Sequence, residues 1–186
     1  AHTRAGQWVR EEFPGTMVNG RTLGLIGCGR LGQWMSRYGA AFGMRVLGHD
    51  PHLEIWPQGI EQVTLAELVA QSDVISVHVH LSAGTTGLLS ADLLANIKPG
   101  AIVVNTSRGA IIDEAALLAG LECGRIGAAG LDVLDGEPEI GQHPLVLYSR
   151  GHDNLIITPH IGGFSPDAVR AVCRRAAEKI MAKLGI

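Results

Sequence analysis

The glycine run Gly27-Cys28-Gly29-Arg30-Leu31-Gly32 constrains this chain more than any other stretch. An apolar segment, Thr22–Ile26, leads into it and an amphipathic one, Leu31–Phe42, leads out. It therefore marks a buried strand turning into a helix. Gly27 permits the tight turn, Gly29 lets backbone approach a bound group, and Gly32 lets the helix pack on the strand. The helix N-terminus then offers unpaired N–H groups and a positive dipole end to phosphates. Alone, such spacing also occurs in purely structural turns. The strand before it, the helix after it and an acid downstream make it a dinucleotide cradle.

The acid is Asp50, in His49-Asp50-Pro51, eighteen residues beyond Gly32. At the end of a second strand its carboxylate can accept hydrogen bonds from ribose hydroxyls. It would repel a 2′-phosphate, which favours NAD over NADP. An aspartate ahead of proline also starts turns; strand-end position and spacing together favour the ribose role. His49 and His52 flank it.

Hydrophobic runs alternate with amphipathic segments along the rest of the chain, the pattern of repeated βα units. Strands are expected at Thr22–Ile26, Arg45–His49, Val74–Val79, Ala101–Asn105, Gly127–Leu131 and Leu155–Thr158. They are rich in Val, Ile and Leu, as strands buried on both faces should be. Helices are expected at Leu31–Phe42, at Leu65–Gln71 behind the capping box opened by Thr64, and at Ala91–Ile97 behind Ser90. Two more follow: Glu114–Cys123 behind Asp113, and a last one from Ser165-Pro166 towards Leu184. A further helix is expected around Gln7–Phe13, stopped by Pro14-Gly15. Asp135–Asn154 shows no helical period and reads as an exposed excursion of functional length. The expected fold is α/β: one Rossmann-type domain over residues 1–186, a doubly wound parallel sheet with helices on both faces.

With 186 residues, 46% of them hydrophobic, the chain can bury one full core. A net charge of −3 and 4% aromatics argue against a general nucleic-acid binder. No apolar run reaches bilayer-spanning length, so no membrane partner is expected. Cys28, Cys123 and Cys173 are odd in number and form no Cys-x-x-Cys, which points to a reduced, cytoplasmic compartment. No signal peptide is apparent at Ala1; a chain beginning without methionine is read as trimmed or excised.

Two later strand ends carry chemistry. Arg108, in Asn105-Thr106-Ser107-Arg108-Gly109, falls where open α/β sheets place ligands and can hold a carboxylate by two parallel bonds. His160, in Pro159-His160-Ile161-Gly162-Gly163, is suited to proton transfer near neutral pH. Glu137 could orient it and stabilise the imidazolium. A lone histidine is usually structural; the triple Arg108, Glu137 and His160 points to hydride transfer with a carboxylate-bearing substrate.

On these motifs the chain resembles the cofactor-binding domain of the D-isomer-specific 2-hydroxyacid dehydrogenases. The resemblance runs through Gly24–Gly32, Phe42–Val46, His49-Asp50-Pro51, Asp73–His78 and Leu94–Asn105. It continues through Ser107-Arg108-Gly109, Leu131-Asp132-Val133, Gly136-Glu137-Pro138 and Thr158–Gly163. It implies that Arg108 binds and polarises a 2-oxo acid, that His160 gives the carbonyl oxygen a proton, and that Glu137 holds His160. It implies NAD as cofactor, with Arg30 and Leu31 under the pyrophosphate and Asp132 on the nicotinamide carboxamide. His80, Leu81, Thr85, Thr106, Ser107, Gly162 and Gly163 would complete the cofactor side.

His80 stands where the family often has proline. His78 and His80 share one strand face, which raises a metal site; with no further ligand cluster, a cofactor-adjacent strand end is the preferred reading and no metal is expected. Gln142–Asn154 looks longer than the family pattern and could shape a substrate entrance or an oligomer contact. The family also carries a substrate domain, so this chain is expected to be an excised cofactor domain that binds NAD but turns over 2-hydroxy acids poorly. A homodimer is expected by resemblance. The competing reading is a non-enzymatic NAD-sensing module, corepressor-like, on the same scaffold.

Overall fold

The computed structural model describes residues 3–12 and 15–185. Seven strands form one sheet: β1 (Thr22–Ile26), β2 (Arg45–His49), β3 (Glu61–Gln62), β4 (Val74–Val77), β5 (Ala101–Asn105), β6 (Ile126–Leu131) and β7 (Leu155–Ile157). Their order is β3-β2-β1-β4-β5-β6-β7, and every neighbouring pair is parallel. The chain steps outward from β1 to β3, then returns to lay β4 on the other side of β1. That reversal opens a crevice beyond the carboxyl ends of β1 and β4.

Helices α1 (Arg30–Ala41), α2 (Leu65–Gln71), α3 (Ala91–Ala95), α4 (Glu114–Glu122), α5 (Pro144–Ser149) and α6 (Pro166–Leu184) complete the fold. The two-residue period of the strands divides the core between the two faces of the sheet. Leu23, Leu25 and Val46 pack with Ile60, Trp56 and Met35 of α1. The alternate residues Ile26 and Leu47 join Leu68 of α2, Leu94 of α3, Leu117 of α4 and Leu145 of α5 in a larger cluster. Helices therefore cover both faces, as the sequence pattern requires.

The caps behave as their chemistry dictates. Thr64 and Glu67 form the reciprocal capping box of α2, and Asp113 Oδ1 accepts the Ala116 N–H at 3.0 Å. Ser165 caps α6, with Pro166 at its first position, yet α6 buries none of its residues. Among the described residues no helix is long and apolar enough to cross a membrane.

Three expectations need correction, and one strand was not expected. The fourth strand stops at Val77 because His78 and Val79 already belong to the crevice. β3 went unforeseen: it is two exposed residues pairing with Leu47 and Gly48, with no hydrophobic alternation to reveal it. No continuous helix spans Gln7–Phe13; a 3₁₀ turn covers Arg10–Glu12, and Phe13 and Pro14 lie outside the described residues. Asp135–Asn154 is not wholly an exposed excursion, since it contains α5, with Leu145 fully buried.

Candidate cofactor and catalytic site

The glycine cradle begins where β1 ends. Gly27 has φ of 91°, a conformation glycine tolerates, and its N–H donates to the His49 carbonyl at 2.9 Å. A Cβ on Gly27 would lie 2.9 Å from the His78 carbonyl, so the loops after β1 and β4 touch here. A Cβ on Gly32 would lie 2.2 Å from the Gly27 carbonyl oxygen, so only glycine lets α1 start this close to the strand. Gly29, the N-cap of α1, has no atom of the described residues, its chain neighbours aside, within 4 Å of where its Cβ would be. Its side faces open space, as a residue that a pyrophosphate approaches should. The first intrahelical bond runs from Gln33 N–H to Gly29 at 2.9 Å, leaving the amides of Arg30, Leu31 and Gly32 pointing out of the helix end. These features fit a dinucleotide.

Asp50 stands at the end of β2 with both oxygens engaged. Oδ2 accepts the Cys28 N–H at 2.9 Å and Oδ1 accepts the His52 N–H at 3.0 Å. It thus starts the turn before Pro51 and also faces the cleft. That cleft, about 360 Å³, is lined by Gly27, Gly29, His49, Asp50, His52, His78, His80 and Thr85, among others. Burial, with the Asp50 charge adding to it, pushes the Cys28 thiol up to about 12, so the cradle cysteine is an inert filler.

The loop after β4 closes on itself. Thr85 Oγ1 donates to the His80 carbonyl at 2.6 Å and accepts the Ser82 N–H at 2.8 Å, which frames Leu81. His78 places Nε2 2.9 Å from Ser76 Oγ, and burial lowers its pKa from the ordinary imidazole value. Among the described residues no three His, Cys, Asp or Glu side chains converge as metal ligands do.

At the end of β5, buried Asn105 organises the turn. Its Oδ1 accepts the Ser107 N–H at 2.9 Å and its Nδ2 donates to the Arg108 carbonyl at 2.8 Å. Ser107 Oγ donates to the Val77 carbonyl at 3.0 Å, tying this turn to β4. Thr106 stays exposed. The Arg108 guanidinium donates to the Ser107 carbonyl at 2.6 Å and has no carboxylate partner among the described residues. A Cβ on Gly109 would sit 2.0 Å from the Asp135 nitrogen, so the Arg108 turn presses directly on the segment that leads to Glu137.

Beyond β6 and β7 the catalytic pair assembles. His160 Nδ1 lies 2.6 Å from Glu137 Oε1. Glu137 Oε2 accepts the Leu134 N–H at 3.4 Å. His160 adopts φ of 53°, an uncommon conformation for a residue with a Cβ, and its N–H donates to the Asp132 carbonyl at 2.9 Å. Asp132, only 7% exposed, ties the loop down. Oδ1 accepts from Thr158 Oγ1 at 2.5 Å and from the Ile161 N–H at 3.0 Å; Oδ2 accepts the Gly162 N–H at 2.7 Å. Burial works against the charge on Asp132, but these donors and nearby His160 outweigh it and hold its carboxyl below the usual range. Glu137 and His160 line a cavity of about 390 Å³ with Leu134, Ile140, Ile157 and Thr158.

The structure therefore gathers Gly27, Gly29, Asp50, His80 and Thr85 at one cleft, and pairs Glu137 with His160 at a second cavity. Arg108 joins neither by a hydrogen bond. Gly163 meets nothing within 4 Å of a Cβ position, and Leu31 is exposed at the start of α1. Sequence reasoning missed Asn105, Thr158 and the Glu114–His143 pair described below. Asn105 had one signal, a polar residue ending a buried strand.

A family model of the NAD binding domain of D-isomer specific 2-hydroxyacid dehydrogenases matches residues 1–162. Hydroxypyruvate reductase of Thermotoga maritima is 39% identical over 183 residues, covering 98% of this chain and 59% of the relative. The chain thus spans little more than half the length of that relative. An acyclic imino acid reductase solved with NADPH and D-Arg superposes with a TM-score of 0.88 at 34% identity, covering 98% of this chain and 57% of the other. D-lactate dehydrogenase from Aquifex aeolicus, solved with NAD and lactic acid, gives 0.82 at 30% identity, covering 98% and 59%.

Proposed function

The chain belongs to the D-isomer specific 2-hydroxyacid dehydrogenases as their NAD-binding domain; from that premise we propose that it supplies both the cofactor site and the proton-transfer residues for interconverting a small 2-oxo acid and its D-2-hydroxy acid. The observation that carries this reading is the 2.6 Å contact of His160 Nδ1 with Glu137 Oε1, in the lining of a cavity.

When bound, NADH supplies the hydride. The amides of Arg30, Leu31 and Gly32, with open Gly29, would hold its pyrophosphate, and Asp50 its ribose. Asp132, His80, Leu81, Thr85, Thr106, Ser107, Gly162 and Gly163 would lie along the nicotinamide side. Arg108, with no carboxylate partner among the described residues, would take the substrate carboxylate through paired N–H donors and draw electron density from the oxo group.

Glu137 fixes the tautomer and direction of His160. An ionised carboxylate accepts only, so Nδ1 carries a proton and Nε2 is the nitrogen left to face substrate. Protonated His160 would give that proton to the oxo oxygen, and the neutral ring would take one from the hydroxyl in the reverse direction. The Glu137 carboxylate would offset the imidazolium charge from its place beside Nδ1.

The full gene product would act on a small hydroxy or oxo acid, as a homodimer in the cytoplasm, with a substrate domain closing the pocket. Exposed Trp34 and Tyr38 on α1, with exposed Phe42 at its C-cap, support a protein partner on that face. The relatives named above are enzymes, which favours catalysis over an NAD-sensing role.

The test is NADH oxidation by the full gene product against a panel of 2-oxo acids. Turnover of at least one acid, with saturable NADH binding, is expected. Tight NADH binding without turnover of any acid, alongside specific capture of a protein partner, would instead establish the sensor.

A further inference from the structure

We propose that Glu114 and His143, which touch neither the cofactor cleft nor the catalytic cavity, are positioning residues for the Glu137–His160 pair and act through the backbone of Leu134 and Asp135; this rests on the reading of His160 as proton donor. Glu114 opens α4, and its carboxylate bridges two distant groups. Oε1 accepts the Asp135 N–H at 3.0 Å, while Oε2 lies 2.9 Å from His143 Nε2. Both side chains are largely withdrawn from water, at 15% and 14% exposure.

The hydrogen bonds assign the protonation of His143. Its Nδ1 accepts the Leu145 N–H at 3.3 Å and so caps α5. A nitrogen that accepts carries no proton, so the proton sits on Nε2 and is donated to Glu114. Protonating the second nitrogen would remove the cap acceptor.

The Asp135 backbone is thereby held from two sides. Glu114 anchors its N–H, and Gly109 presses on it so closely that a Cβ would lie 2.0 Å away. The preceding residue, Leu134, donates its N–H to Glu137 Oε2 at 3.4 Å, near the limit of a hydrogen bond. A bond this long fails on a small backbone displacement. Glu137 Oε1, on the same carboxylate, orients His160. A buried carboxylate–imidazole pair is costly to desolvate and adds little to stability over apolar packing, which Leu145 and Leu117 already provide here. Burial pushes the Glu114 carboxyl up from its ordinary value, while the Asp135 N–H and His143 pull it back. What the pair gains is a fixed distance between the start of α4 and the Glu137 turn.

The experiment compares Glu114→Ala, His143→Ala, His143→Asn and His160→Asn in the full gene product. Glu114→Ala and His143→Ala should lower reductive kcat roughly ten- to a hundredfold, as misplacement of reacting groups does. They should also move the alkaline limb of the reductive pH profile to lower pH, because a loosened Glu137 stabilises the imidazolium less. NADH affinity should stay within about twofold. His143→Asn, whose Oδ1 stands where Nδ1 caps α5 but whose Nδ2 stops short of Glu114, should keep the cap yet leave the rate and the limb impaired. If the alanine variants do not fold, Glu114→Gln, which keeps an acceptor for Asp135 but not for His143, is read in the same way. An unmoved pH profile overturns the positioning role, whether or not kcat falls. If His160→Asn turns over normally, the reading of His160 itself fails; if only His160→Asn is impaired, the positioning role alone fails.

Discussion

Asp50 Oδ2 accepts the Cys28 N–H at 2.9 Å, so the carboxylate assigned to the ribose also fastens the glycine turn to the end of β2. Its two duties separate by substitution. Asp50→Asn keeps an oxygen for one backbone N–H and loses the charge. It should lower the thermal midpoint modestly, since one of the two backbone N–H groups loses its acceptor, while narrowing the preference for NADH over NADPH by about tenfold, or 1.4 kcal/mol. Asp50→Ala should lower both NADH affinity and the midpoint. Fluorescence titration with both cofactors reads this out; an unchanged preference in Asp50→Asn would remove Asp50 from cofactor selection.

Gly29 and Gly32 should respond oppositely to the same methyl group. Gly32→Ala drives a Cβ to 2.2 Å from the Gly27 carbonyl, so it should destabilise the fold by about 1–3 kcal/mol. Gly29→Ala meets, beyond its chain neighbours, no atom of the described residues within 4 Å and should cost at most about 1 kcal/mol as a poorer cap. It should nevertheless weaken NADH binding, because its methyl group enters space assigned to the pyrophosphate. Urea unfolding with parallel NADH titration distinguishes them.

The cysteines make a third test. Cys28 is buried with its thiol pushed up to about 12, whereas Cys123 and Cys173 are exposed. Native protein treated with iodoacetamide at pH 8 should be alkylated at Cys123 and Cys173 and spared at Cys28 until denaturant is added. Peptide mass mapping reports it. Rapid native labelling of Cys28 would mean that the cradle opens.

Asp132 carries a pH dependence whose sign is fixed. Its folded-state pKa lies below the ordinary carboxyl value, so its stabilisation is full above the unfolded value near ~3.9 and is lost as pH falls through the folded one. Asp132→Asn should be less stable than wild type by about 1–3 kcal/mol at pH 7, since charged hydrogen bonds to the loop are lost. That gap should shrink as pH drops below ~4. A gap that stays constant into acid would show that the charge is not what holds Ile161 and Gly162.

How much could be read from the sequence follows from the range of each interaction. The cradle, Asp50 and the caps of α2, α4 and α6 are local, their chemistry confined to a strand, a turn and the next helical turn. α5 escaped because its cap is the imidazole of His143, not a hydroxyl or carboxylate. Glu114 escaped because its partners lie 21 and 29 positions away. Glu137 and His160 could be singled out by their places after two strands, but only the folding of β6 beside β7 brings them to 2.6 Å.

The most direct test of the central claim is steady-state reduction of the best 2-oxo acid by the full gene product carrying His160→Asn, with NADH binding measured on the same sample. Loss of the proton donor should lower turnover by about a hundred- to ten-thousandfold. The NADH dissociation constant should stay within about twofold, since the cradle is untouched. Wild-type turnover in that variant would contradict the account.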